Sequence, residues 1–308
     1  MTSKLIMMAN TAIQTKDTTR LGILFMLLAV LMFSLNDVMG KWLVSTYSVG
    51  QLLLIRSLAA LAILLPFIYR AGWRALLDIE RPWLMVVRVC LTTLEVAAFY
   101  FAVAYMPLAD TITFWMAAPI YVAALSPFLL GEHVGWRRWT AIGIGFIGVL
   151  IALQPSSDTL SLPALIGIAG SICFALMMVA GRALRNSSDI ALVFWPTVGA
   201  GLFGAVTSLF SWAPPSGFDF ALLALLGVVA MVAHVFTNRS LILADAATVT
   251  PYQYTLLVWA VLFGWLFFNE TPRTTTLIGA VFIVASGLFI FFREQKLGKR
   301  AQEPEIGP

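Results

Sequence analysis

Ten runs of about 20 mainly apolar residues, separated by short polar breaks, leave this chain few options, because that length matches the hydrocarbon thickness of a bilayer. Backbone in hydrocarbon must satisfy its own hydrogen bonds, so such runs fold as helices. They extend near Leu21 to Leu43, Val49 to Tyr69, Trp83 to Ala104, Ala109 to Leu130, Trp136 to Leu153, Pro163 to Leu184, Ile190 to Trp212, Phe220 to Leu241, Ala247 to Phe268 and Thr275 to Phe292. Composition agrees: 60% of the 308 residues are hydrophobic and 11% charged, and the mean hydropathy of +0.92 lies outside the range of soluble domains. A cytosolic enzyme is thereby excluded, and the first partner of the chain is the lipid bilayer.

Lys and Arg fix the orientation. Fifteen of the 19 fall on the side of the N-terminus, among them Lys4, Arg20, Arg70, Arg81, Arg138, Arg182, Arg239 and Arg300. Lys41 and Arg273 alone fall on the opposite side, and Arg56 and Arg88 lie inside spans. Both termini are therefore expected in the cytoplasm, which requires an even number of helices. The net charge of +4 is this topology signal and gives no reason to expect nucleic acid. Residues 1–20 lack the small-residue cleavage site of a signal peptide and are read as a mobile cytoplasmic tail.

An internal repeat organises the rest. Phe33-Ser-Leu-Asn-Asp-Val-Met-Gly-Lys-Trp-Leu43 aligns with Phe174-Ala-Leu-Met-Met-Val-Ala-Gly-Arg-Ala-Leu184. Leu108-Ala-Asp110 returns as Leu243-Ala-Asp245, and Gly131-Glu132 as Asn269-Glu270. Five spans per half is an odd number, so the second half enters the membrane inverted, the plan of secondary transporters with a site near the midplane. The expected organisation is a tail at 1–20, a first repeat at 21–153, a periplasmic linker at 154–162, a second repeat at 163–292 and a cytoplasmic tail at 293–308.

Enzyme signatures are scarce. Gly143-Ile-Gly-Phe-Ile-Gly148 matches a dinucleotide fingerprint but lies in an apolar run after no strand, so close helix packing explains it better. No Walker lysine motif is present, so direct use of ATP by this chain is not expected. His133 and His234 have no metal-spaced partners, and Cys90 and Cys173 both lie in apolar runs. No cofactor and no metal are expected.

Polar residues inside the spans carry the functional information, since an unpaired charge near the bilayer centre costs at least about 2.5 kcal/mol. Asp37 and Arg56 each sit roughly 9 to 10 Å below the outer surface and could pair, and Asp37 precedes Lys41 by one helical turn. Asp37, Lys41 and Arg56 form the candidate ion network or outer gate. Asn36 points about 100° away from Asp37, toward the expected cavity. Arg88, Thr92, Glu95 and Phe99 share one stripe of the third span, with Glu95 near the midplane. Glu95 is read as binding a substrate ammonium or carrying a proton, and Arg88 as structural. Thr248, Tyr252, Thr255 and Trp259 repeat the stripe spacing in the ninth span, where rings and hydroxyls suit amino-acid side chains or flat drugs. His234 with Asn238, and Trp115, complete the candidates.

The helix ending Gly40-Lys41, then Leu54-Ile-Arg56-Ser-Leu-Ala-Ala-Leu61, Ala104-Tyr-Met-Pro-Leu-Ala-Asp-Thr111, Pro119 and Gly131-Glu132, resembles the EamA-type members of the drug/metabolite transporter superfamily, over Leu21 to Phe292. Among these it is most similar to the bacterial aromatic amino-acid exporters of the YddG type. The resemblance implies ten helices around a central cavity lined by spans 1, 3, 4, 6, 8 and 9. The expectation is thus an all-α integral membrane protein of two inverted five-helix repeats. It would export aromatic or neutral amino acids and related metabolites across the bacterial inner membrane, through Asn36, Glu95, Trp115, His234, Tyr252 and Trp259. Transport of nucleosides or cationic drugs, an intramembrane enzyme and a structural factor stay open as alternatives. Oligomeric state is left open, a monomer being compatible with this plan.

Overall fold

The computed structural model describes the backbone of residues 2–130, 135–153, 161–184, 186–244 and 246–302, and all of its regular elements are helical. Gly131-Glu132, His133, Arg185, Asp245 and most of the expected linker lie outside these residues, as does the side chain of Arg182. The helices are α1 (Thr2–Val44), α2 (Val49–Ala71), α3 (Pro82–Tyr105), α4 (Leu108–Met116), α5 (Ala118–Leu130), α6 (Trp136–Leu153), α7 (Leu162–Ala183), α8 (Asp189–Ser208), α9 (Gly217–Leu243), α10 (Ala246–Val249), α11 (Thr255–Phe268) and α12 (Thr274–Gln302). Among the described residues, ten segments are long and apolar enough to cross a membrane, matching the ten expected spans.

Several spans differ from expectation, each for a local reason. Residues 2–20, read as a mobile tail, continue α1 as helix, since no Pro or Gly interrupts the chain before Gly22. The second tail likewise continues α12 as far as Gln302. The fourth span is broken at Ala117. Pro119 has no N–H to offer the carbonyl of Trp115, and Ala117 tightens the turn by donating to the Phe114 carbonyl (3.2 Å). The ninth span opens as a 3₁₀ turn over Thr250–Tyr254 around Pro251. Three residues per turn replace 3.6 there, so Thr248 and Tyr252, four positions apart, do not share the stripe that uniform α-helical spacing predicts.

Helix pairing shows the internal symmetry. Exchanging α1 with α7, α2 with α8, α3 with α9, α4–α5 with α10–α11 and α6 with α12 converts the α1–α9 packing into the α7–α3 packing. The same exchange returns the α2–α8 and α6–α12 pairs to themselves. Loops follow the same rule. Ser48 and Gln51, at the α1–α2 turn, bond to the α8–α9 loop at the Ser211 carbonyl (2.9 Å) and the Ala213 carbonyl (2.7 Å). At the other end the α2–α3 loop meets the α7–α8 loop, Glu80 N donating to Ser187 Oγ (3.0 Å) and Ser188 N to the Asp78 carbonyl (3.0 Å).

Hydrophobic burial cannot drive helices together in lipid, so close approach must, and small residues supply it. At Gly204 an added Cβ would meet the backbone of Leu54 and Gly50 on α2; at Gly227 it would meet the Arg56 carbonyl. Gly148 and Gly279 bring α6 and α12 together, where Ser286 Oγ also donates to the Ala141 carbonyl. Within the apparent dinucleotide motif, Gly145 and Gly148 are such contacts, whereas Gly143 faces open space. The perimeter carries exposed Leu58, Phe67, Leu202, Val206, Val258 and Val281, as a lipid-facing surface requires. The contrast yields a test. Gly227→Val should lower the unfolding midpoint in detergent by roughly 2 to 12 °C, the cost of overpacking against backbone, while Gly143→Val leaves it unchanged.

Candidate substrate site and far-side latch

At the centre, where α1, α2, α3, α4 and α9 meet, polar groups converge on one guanidinium. Arg56 Nη1 donates to the Tyr100 hydroxyl (2.9 Å), with the guanidinium carbon 5.4 Å from the Tyr100 ring centroid. That hydroxyl donates to Asn36 Oδ1 (3.2 Å), and Asn36 Nδ2 donates to the Leu226 carbonyl on α9 (2.7 Å). The same guanidinium is within electrostatic reach of Asp37, Glu95 and His234. Glu95 is buried, and its Oε1 accepts the indole N–H of Trp115 (2.8 Å). Phe99 packs edge-on against both Tyr100 and Trp115, at centroid distances of 5.4 and 5.1 Å. Gly170 on α7 leaves the room that the Trp115 ring fills.

Local structure explains the placement of Trp115. The span breaks two residues later, so the α4 segment ends at the level of Glu95 and directs the indole across to α3. A discontinuous helix at the midplane is the usual construction of a transporter site, since it leaves backbone polar groups for a solute.

The structure sorts the sequence candidates into three places. Asn36, Glu95 and Trp115 join the central network, together with Tyr100, which sequence reasoning did not single out. His234 is exposed on α9, edge-on to Phe33 at 5.1 Å, one turn from exposed Asn238. Tyr252 packs around Met26, Val30 and Val249, and Trp259 lies between that group and the apolar cluster of Phe99, Tyr100 and Trp115, against Phe263 at 5.3 Å. Burial against α1 removes part of the ring surface that the expected cavity face would present. Arg88 Nη1 donates to the Leu192 carbonyl (2.6 Å), and Thr92 is bonded within its own helix.

The expected gate is divided. Among the described residues no ion pair within 4.0 Å joins Asp37 to Arg56 or to Lys41. One turn further along α1, Lys41 reaches away from Asp37 to two better acceptors, one in the loop before α12 and one in the α3–α4 turn. Its Nζ lies 2.5 Å from Glu270 Oε1 and donates to the Met106 carbonyl (2.6 Å), with the Phe268 ring 5.2 Å away. Glu270 Oε2 accepts the Leu108 amide (2.9 Å), so the second half caps the first helical residue of α4. Asn269 makes that reach possible: it ends α11 in the left-handed region (φ 57°), its N–H donates to the Trp265 carbonyl (3.2 Å) as in an αL helix cap, and Glu270 N returns to the Gly264 carbonyl (3.0 Å).

A second bridge lies beside the first. Arg273 donates to Asp110 Oδ2 through Nη2 (2.8 Å) and Nε (3.2 Å), and Thr276 Oγ1 donates to Asp110 Oδ1 (2.7 Å). Asp110, in the first turn of α4, also answers the positive end of that helix. Tyr47 adds a third link by donating to Asp219 Oδ2 (2.7 Å), and this bond to a carboxylate holds its phenol above its ordinary pKa. The side opposite the termini is thus latched between the two halves. The two cations that the charge count leaves on that side, Lys41 and Arg273, are the signal that could have located the latch.

On the terminus side a cleft of about 440 Å³ opens among Arg88, Asp189, Leu192, Val193, Asn238 and Ile242.

Comparison with known proteins joins this architecture to a family. The model of the EamA-like transporter family matches residues 20–154 and 161–292. The chain belongs to the EamA-like transporter family. It is a multi-pass membrane transporter of small molecules and not an enzyme. It is 28% identical to the S-adenosylmethionine uptake transporter of Rickettsia felis over 96% of this chain and 100% of that one. With the riboflavin transporter of Rhizobium johnstonii it shares 31% identity over 89% of this chain and 92% of that one. With the pseudopaline exporter of Pseudomonas aeruginosa the identity is 24%, over 88% and 95%. A solved crystal structure at 16% identity superposes with a TM-score of 0.60, covering 92% of this chain and 99% of the other, and shares the fold.

The latch makes a thermodynamic prediction. Glu270→Ala strands the Lys41 ammonium and the Leu108 amide together, at a cost on the order of 3 kcal/mol. Replacing both partners, as in Lys41→Met with Glu270→Leu, removes the stranded charge and should restore part of the unfolding midpoint. A double variant less stable than Glu270→Ala alone would exclude this pairing.

Proposed function

We propose that this EamA-family chain moves amino acids, and metabolites built on them, across the bacterial inner membrane by alternating access, with the termini in the cytoplasm. The favoured solute carries a cationic amino group and a flat ring. One observation carries this reading: the centre holds two carboxylates, Asp37 and Glu95, around a single guanidinium, Arg56, within a frame of Phe99, Tyr100 and Trp115. With both carboxylates ionised that set carries one negative charge in excess, which a solute cation would answer, and the rings offer apolar faces beside it. In this reading Glu95 meets the amine, Trp115 keeps the carboxylate oriented, and Asn36 with Tyr100 positions Arg56. His234 lines the path from the terminus side, while Tyr252 and Trp259 back the α1 wall. Aromatic amino acids, the substrate class of the YddG-type exporters that the sequence resembles, satisfy both demands.

S-adenosylmethionine, named for the Rickettsia relative, also satisfies them, being an amino acid joined to a nucleoside through a cationic sulfonium. Riboflavin, named for the Rhizobium relative at 31% identity, supplies the flat ring without the amine, and this is the second reading. Purified protein in liposomes, offered labelled phenylalanine, S-adenosylmethionine and riboflavin, separates them. The amine-bearing solutes should move above empty vesicles, and Glu95→Gln should reduce that transport roughly 10- to 100-fold, the worth of one charge-assisted hydrogen bond. Riboflavin transport that survives Glu95→Gln, with no movement of either amine, would replace the first reading by the second.

A further inference from the structure

The cleft on the terminus side lies outside the central network and contains an unusual arginine. Arg88 commits Nη1 to the Leu192 carbonyl (2.6 Å), yet its Nε is buried and has no hydrogen-bond partner among the described residues. A guanidinium offers five donors, and one left dry and unpaired is costly unless something else completes it. Gly181 on α7 stands beside that nitrogen: a Cβ there would lie 3.5 Å from Nε, in ordinary contact, and the glycine itself offers Nε no side-chain acceptor. Across the cleft are exposed Asp189, in the first turn of α8, and exposed Asn238 on α9. Arg88 and Asp189 line one cavity, but among the described residues no ion pair within 4.0 Å joins them. The volume, about 440 Å³, is within the range of small-molecule sites.

We infer that this vestibule is a second solute site, one that receives the ammonium and carboxylate head group of an α-amino acid before the solute reaches the centre. Arg88 takes the carboxylate through the terminal N–H groups not committed to Leu192, Asp189 takes the ammonium, and the Asn238 amide bonds to either. Leu192, Val193 and Ile242 give the solute side chain an apolar wall. The arrangement suits a zwitterion because its two charges stand apart and unneutralised by each other, so a lone anion meets Asp189 and a lone cation meets Arg88 as repulsion. His234 lies one turn above Asn238 on α9, toward Arg56, and marks the route inward. This inference deepens the proposed function, since it names the head group and the side on which it is received.

The test reads the vestibule without relying on transport. Val193→Cys, in a background of Cys90→Ala and Cys173→Ala, places one thiol on the cleft wall, and its rate of maleimide labelling reports occupancy in nanodiscs. L-phenylalanine, L-methionine and L-serine, which share only the head group, should each slow labelling several-fold. Phenethylamine and 3-phenylpropionate, each lacking one charge, should slow it less. Arg88→Gln should abolish the protection and Arg88→Lys retain part of it, with the unprotected labelling rate unchanged in both as the sign of an intact cleft. Glu95→Gln should leave protection in place while transport falls, which separates this site from the central one. Protection that survives Arg88→Gln, equal protection by a single-charge analogue, or no protection by any of the three amino acids would overturn the inference, whatever the outcome of the transport assay.

Discussion

A charge placed in hydrocarbon has to be answered by another group, and in this chain most of the answers come from the other half. Lys41 of the first repeat finds Glu270 of the second, and Asp110 of the first finds Arg273 and Thr276 of the second. Asn36 reaches the Leu226 carbonyl, Arg88 the Leu192 carbonyl, and Tyr47 the Asp219 carboxylate. Five spans cannot satisfy their polar groups alone. Glycine contacts then set how closely the halves approach: Gly204 and Gly227 let α8 and α9 lie against the backbone of α2, the helix from which Arg56 reaches Tyr100. The central site is therefore a product of inter-half packing as much as of its own residues.

The architecture was largely legible because bilayer thickness imposes a length on every span and the positive-charge bias imposes an orientation. Repeat echoes such as Gly40-Lys41 with Gly181-Arg182 then required two inverted halves. The places where the sequence misled are places where local chemistry overrode a uniform helix. Pro119 broke the fourth span, and Pro251 wound the start of the ninth as a 3₁₀ turn, so a stripe drawn at 3.6 residues per turn through Thr248 and Tyr252 did not survive. Lys41 was assigned to Asp37 on helical spacing, an attraction worth a few tenths of a kcal/mol. It went instead to a carboxylate and a carbonyl in a partly buried corner, where each interaction counts for more. Sequence spacing sees neighbours along one helix and cannot see this competition. Glu95 with Trp115 was found as two separate candidates, since twenty positions and a helix break lie between them.

The comparisons narrow the chemistry without naming a solute. Relatives at similar identity carry the names of S-adenosylmethionine, riboflavin and pseudopaline transporters, so a shared scaffold serves dissimilar cargo. Such breadth fits a site built around one central guanidinium with changeable surroundings. The break at Ala117 is compatible with such breadth, because backbone groups freed at a helix break can hydrogen-bond a solute without fixing its side-chain chemistry.

The two far-side bridges run in opposite electrical senses. In one the first half contributes the cation, Lys41, and in the other it contributes the anion, Asp110. Were the halves to separate on that side, equal and opposite charges would move with each half, so these two bridges would carry no net charge through the membrane field. A single unbalanced charge crossing the full field would couple by about 2.3 kcal/mol per 100 mV. The paired design cancels that coupling for the two bridges, which leaves the solute, the central charges and Asp219 as the groups through which membrane potential would act.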